Sequence, residues 1–187
     1  MKIKSAIYWA AITVGIISVI TATMSRSKDA AKARTETAAA TMPIATFGDP
    51  LTARWTATTH EAAASEANKQ VLAHGRPMTV TGEIVDVSCY LQLGKRGEGH
   101  IACGSKCIAA GEPIGIVDAD TTLYVLFAEE HHPRRDGQVS LEKTVGSLLA
   151  KNVTVTGMMT ENRGNRALFL QAAEIDSVMH RAQGGKK

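Results

Sequence analysis

The chain has 187 residues, with 21 Lys and Arg against 18 Asp and Glu, a formal charge of +3 and a mean hydropathy of −0.05. That length allows one ordinary domain with extensions, or two small domains at most. A hydrophobic content of 44% excludes wholesale disorder, and aromatics at 4% exclude a surface built on many stacking rings.

The amino terminus reads as a membrane anchor. After Met1-Lys2-Ile3-Lys4, the run Ser5–Met24 carries no charge, close to the ~20 residues a helix needs to cross a bilayer. Tyr8 and Trp9 stand at one end as interfacial anchors. A cleaved secretory signal would share the basic start, but Ile20 lies three positions before a cut after Ala22, so an uncleaved transmembrane signal-anchor over 1–24 is expected. Basic residues flank the span on both sides. A short head followed by a long domain usually translocates the domain, which places the soluble part in the periplasm, on the outer face of the cytoplasmic (inner) membrane.

Residues 25–76 read as a tether rich in Ala, Thr and charge, interrupted by Pro43 and Pro50. Within it Met42, Ile44, Phe47, Leu51 and Trp55 pack on the protein's own domain or on a partner; for the second destination, Phe47 and Trp55 are the candidate contacts. Thr58-x-x-Glu61 is a capping-box pattern, and a short helix near 60–74 is expected to stop at Gly75 and Pro77.

After Pro77 the pattern changes to strands: Met78–Leu91, then a hairpin of Pro113–Asp118 and Thr121–Ala128 around the Asp118–Asp120 turn. Leu141, Val145, Leu148 and Leu149 recur at helical spacing in Ser140–Ala150. Asn152–Glu161 and Arg166–Val178 complete the set around an Asn162–Asn165 turn. The order β-β-β-α-β-β predicts a mainly β domain over 77–180, a small five-stranded OB-fold-like Greek-key barrel with a cysteine-rich helical insertion, followed by a basic tail, 181–187.

Charge is distributed unevenly. Residues 1–76 hold nine Lys/Arg and five Asp/Glu, giving +4; residues 77–180 hold nine and thirteen, giving −4; the last seven residues add +3. An acidic barrel whose aromatics are Tyr90, Tyr124, Phe127 and Phe169 lacks the basic groove and stacking platform of a single-strand binder, so no nucleic acid is expected.

All three cysteines lie within nineteen residues, in the insertion between the first two barrel strands. If His100–Ala110 is helical, His100, Cys103 and Cys107 fall at i, i+3 and i+7, within about 60° of one another on one face. Cys89, at the expected end of the first strand, would supply a fourth ligand. Three thiolates and an imidazole match a tetrahedral zinc site or a thiolate-rich copper site, with Asp86 as a carboxylate that orients His100. The Gly94–Gly99 loop would bring strand end and helix together, and Lys95, Arg96 and Lys106 would favour thiolates.

Two other readings of the thiols stay open. One is a structural disulfide among Cys89, Cys103 and Cys107 with one spare thiol; the other is a redox-active Cys103–Cys107 pair. C-x-x-C-H is absent, which excludes c-type haem attachment. His131-His132-Pro133-Arg134-Arg135 reads as a solvated loop or as a metal- or anion-binding one. No phosphate loop, nucleophile elbow or pair of catalytic carboxylates is present in the sequence, so a non-catalytic role is expected.

The blocks Gly82-Glu-Ile-Val-Asp86-Val-Ser-Cys89-Tyr90, His100-Ile-Ala-Cys103-Gly-Ser-Lys-Cys107 and Gly111-Glu-Pro113-Ile-Gly115 resemble an exported bacterial family that carries them on an OB-like domain, over about Gly82–Asp176. The resemblance implies an exported, membrane-associated cysteine-rich domain. The C-x-x-x-C spacing is also similar to the copper motif of cytochrome oxidase subunit II and of copper chaperones in oxidase assembly. Gly111 stands where that subunit would have a histidine. The membrane-tethered barrel is similar in architecture to the haem chaperone of cytochrome c maturation, although the His-x-x-x-Tyr attachment motif is absent. The expected function is therefore that of an accessory or binding subunit of a larger membrane complex of electron-transfer type. The alternatives are a thiol redox or copper/haem delivery factor, and a purely structural, disulfide-stapled interaction domain.

Overall fold

A computed structural model describes residues 42–129, 140–171 and Ile175, all within one compact unit that begins at Met42. The expected anchor, the first part of the tether, the His131–Arg135 segment and the basic tail lie outside the described residues. Among those described, no helix is long and apolar enough to cross a membrane.

The described residues form a mainly β structure around a closed five-stranded barrel. A short strand β1 (Thr46–Phe47) is followed by helices α1 (Ala57–Ala62) and α2 (Glu66–Ala73). Then come strand β2 (Arg76–Asp86), helix α3 (Val87–Leu93), a 3₁₀ turn over Glu98–His100 and helix α4 (Ile101–Ala109). Strands β3 (Ile114–Asp118) and β4 (Leu123–Ala128), a 3₁₀ turn at Val145–Leu148, and strands β5 (Asn152–Asn162) and β6 (Asn165–Leu170) complete the set. The sheet order is β1-β5-β2-β3-β4-β6, and β6 returns to pair with β5, which closes the barrel. All barrel pairs are antiparallel except β4–β6, which is parallel.

Both hairpins follow from their turn residues. The Asp118 carboxylate accepts from the backbone N–H of Asp120 and of Thr122, each at 2.9 Å, and so holds the β3–β4 turn. Arg163 and Gly164, with φ of 51° and 83°, supply the two positive angles of a tight β5–β6 turn.

Four elements differ from the sequence expectation, one of them the last strand, which ends at Leu170 rather than running to Val178, with Ile175 helical. The first barrel strand stops at Asp86 rather than running to Leu91, because Asp86 caps a helix. The helix expected over Ser140–Ala150 is a series of turns ending in one 3₁₀ turn. Its apolar pattern is still used, since Leu141, Val145 and Leu149 are buried. Thr144 Oγ1 donates to the Ser140 carbonyl at 2.8 Å and Gly146 packs directly against Ile108, so close approach to the core takes precedence over helical regularity. The single helix near 60–74 is two, the second capped by Ser65, whose hydroxyl accepts from Asn68 N–H at 3.2 Å.

From Met42 onward the expected tether packs on the barrel. β1 runs parallel to the first half of β5, filling the edge that β6 leaves free, and Phe47 is fully buried in the core. Trp55 stacks edge-on against Phe169 at 5.4 Å and donates its indole N–H to the Leu72 carbonyl at 2.9 Å. Of the two destinations open to Phe47 and Trp55, both side chains take contacts within the domain. Truncating Phe47 to Ala is expected to cost about 3–5 kcal/mol of stability, measured by urea unfolding. An unchanged midpoint would mean that residues 42–47 contribute nothing to the fold.

Candidate metal centre

Asp86 is the last residue of β2 and pairs with Ile114 of β3, while its side chain begins α3: Oδ1 accepts from Cys89 N–H at 3.3 Å. The strand-to-helix switch therefore places Cys89 one helical turn beyond the barrel rather than on its rim. Val87 N–H donates to the Pro113 carbonyl at 3.0 Å, which continues the pairing for one residue past the strand.

Helix α3 ends at Gly94, whose φ of 63° allows the left-handed cap. The Gly94–Gly99 loop is then pinned. Glu83 on β2 accepts from Arg96 Nε at 3.0 Å and from the Gly97 N–H, and Glu98 pairs with Lys151 at 3.2 Å. This loop returns the chain to His100 and α4.

On α4 the inward stripe is His100, Gly104 and Ile108, at i, i+4 and i+8, each buried. A Cβ on Gly104 would lie 3.0 Å from the His100 ring and 2.8 Å from Leu149 Cδ2, so the missing side chain is what lets the imidazole lie under the helix. Cys103 and Cys107 occupy the neighbouring flank and turn toward α3. Cys89 and Cys107 are half-buried and Cys103 is exposed, so the centre opens to solvent at Cys103.

The three cysteine sulfurs lie within 4.8 Å of one another, as do the donor atoms of Asp86, Cys89 and His100. Together Cys89, His100, Cys103 and Cys107 form a cluster that could hold a metal, and Asp86 meets the same cluster from inside. These are two overlapping triads that share Cys89, rather than one set of four equidistant ligands. No cysteine is bridged among the described residues.

The electrostatics run opposite to the sequence expectation that nearby basic side chains would favour thiolates. The Cys89 thiol is pushed up to about 12, first by the Asp86 carboxylate it faces and then by burial, with Cys107 adding to the effect. Burial raises Cys107 as well; a hydrogen bond with Cys89 works against that rise, and Asp86 and Cys103 reinforce it. Arg96 is drawn to Glu83 instead. A carboxylate beside a buried thiol disfavours its thiolate, and a cation among these donors would reverse this.

The structure brings Cys89 together with Cys103 and Cys107 and, in a second triad, with Asp86 and His100; Asp86 lies 3.7 Å from His100, without the hydrogen bond through which it was expected to orient that ring. Sequence reasoning missed the roles of Glu83 in pinning the loop and of Gly104 in seating the imidazole; a glycine inside a helical pattern was the available signal. No family model, curated protein or solved structure matches this chain.

Thiolate is the alkylating form, so at pH 8 in metal-free, reduced protein Cys89 should react far more slowly than exposed Cys103. Asp86→Asn keeps the helix cap and removes the charge that disfavours the Cys89 thiolate, so Cys89 alkylation should accelerate; peptide mass spectrometry of timed iodoacetamide reactions reads both. Gly104→Ala should leave the barrel folded but displace His100 and weaken metal binding by about 10–100-fold, the range seen when a ligand's support is disturbed, measured by chelator competition.

Proposed function

We propose that this protein is a membrane-anchored, non-catalytic accessory protein whose OB-fold-type barrel carries a metal centre on the periplasmic side of the cytoplasmic membrane. The observation that carries the reading is the convergence of three thiols and a buried imidazole at one end of a rigid barrel. Cys89, Cys103 and Cys107 offer soft thiolate ligands and His100 a borderline nitrogen, the donor chemistry of zinc or copper(I). The strand order, with its parallel β4–β6 closing pair, supports an OB-type barrel.

Membrane location rests on the uncharged Ser5–Met24 run and on the basic flanks that surround it. A docking role in a larger electron-transfer complex is supported by Leu91 and Leu93, which are 69% and 63% exposed on α3 beside the metal centre. A second reading, metal delivery or thiol redox, is favoured by one specific feature: Cys103 is exposed, so an incoming or departing ion can reach a thiolate without opening the fold.

The full chain, extracted from membranes in detergent, should carry at least one equivalent of zinc or copper and titrate no free thiol until a chelator is added. Protein that is metal-free with a disulfide and one thiol would overturn the metal reading. A reversible Cys103–Cys107 disulfide in metal-depleted protein would favour the delivery or redox alternative. Residues 25–187 expressed alone should leave the membrane fraction, whereas persistence there would remove the anchor from the argument.

A further inference from the structure

The functional reading groups His100 with the three thiols and gives Asp86 no direct contact with an ion. Asp86 is 0% exposed and His100 is 5% exposed, yet Asp86 Oδ2 and His100 Nε2 have no hydrogen-bond partner. They face each other at 3.7 Å, too far for a hydrogen bond. The other Asp86 oxygen is already committed to capping α3. Both atoms therefore have lone-pair or proton capacity that the described contacts leave unused.

We propose that Asp86, Cys89 and His100 form an inner coordination set for a divalent cation of borderline hardness, with Asp86 a direct ligand, overlapping the thiolate set of Cys89, Cys103 and Cys107 at Cys89 alone. The spacing supports this. Oxygen and nitrogen ligands with bonds of ~2.0–2.1 Å at a tetrahedral angle stand about 3.4 Å apart, and Oδ2 and Nε2 are at 3.7 Å. The third donor, Cys89 Sγ, lies within 4.8 Å of the ligand atoms of both.

Donor chemistry separates the two sets. A carboxylate, an imidazole and one thiolate suit Zn²⁺ or Co²⁺, whereas three thiolates suit copper(I). Three protein ligands leave a fourth position open. Binding would release the Cys89 proton, with His100 entering as neutral imidazole and Asp86 as carboxylate. The Asp86 cap and the space made by Gly104 fix two of the three ligands before any ion arrives, so little reorganisation is required.

The proposal shares with the functional reading only the premise that this cluster binds metal. The test is Co²⁺ titration of the reduced full chain in detergent, followed by visible absorption. Cys103→Ser/Cys107→Ser removes the outer set and should still bind one Co²⁺, with tetrahedral d–d bands and the charge-transfer intensity of a single thiolate. Adding Asp86→Asn to that background should lower affinity by more than about 100-fold, beyond the 10–100-fold typical of a residue that only orients a ligand. Circular dichroism melts of the metal-free variants check folding, and Asn retains the helix cap.

If the double variant binds no Co²⁺ while wild type does, the inner set falls and the thiolate centre stands. If Asp86→Asn leaves the double variant's affinity or spectrum unchanged, Asp86 is not a ligand. If wild type binds neither Co²⁺ nor copper(I), both readings fall together.

Discussion

A buried carboxylate where a strand becomes a helix is the constraint on which the candidate centre depends. Asp86 must pair as backbone with Ile114 to finish the β2–β3 ladder and must also accept from Cys89 N–H to start α3. Those two obligations fix the direction in which the chain leaves the barrel. They place Cys89 beside the carboxylate and leave Oδ2 facing the His100 ring. The buried carboxylate that faces Cys89, together with burial of the thiol itself, is why that thiol holds its proton so strongly.

The barrel supplies the rigidity this arrangement needs. β2 is hydrogen-bonded on both sides, to β3 and to β5, and three residues before Asp86 it carries Glu83, which pins the glycine-rich loop returning toward His100. Ile108 anchors α4 in the core, with Gly146 brought against it by the turns that replace the expected helix. The donors thus come from a strand end and two short helices, each tied separately to the same packed core. Ligands held in this way lose little further entropy on closing around an ion.

The charge pattern gains meaning from the fold. The negative excess over 77–180 falls on the segment that includes the barrel strands from Pro77 on, and the positive excess falls on the residues before and after it. Residues 42–75 belong with the barrel rather than with the tether: β1 completes the edge of β5, and Trp55 covers Phe169.

Much of this was legible in the residues themselves. Alternating β-branched runs and turn-forming Asp and Asn-Arg-Gly segments located the hairpins, because those signals act within a few residues. The clustering of Cys89, His100, Cys103 and Cys107 was likewise visible from helical spacing. The exact end of β2, the 3₁₀ character of Val145–Leu148 and the division of the donors into two triads depended on contacts between residues distant in sequence. Local periodicity determined which side chains share a face; only tertiary packing decided which donors meet, because the distance between Asp86 and His100 is set by how α4 docks through Gly104 and Ile108.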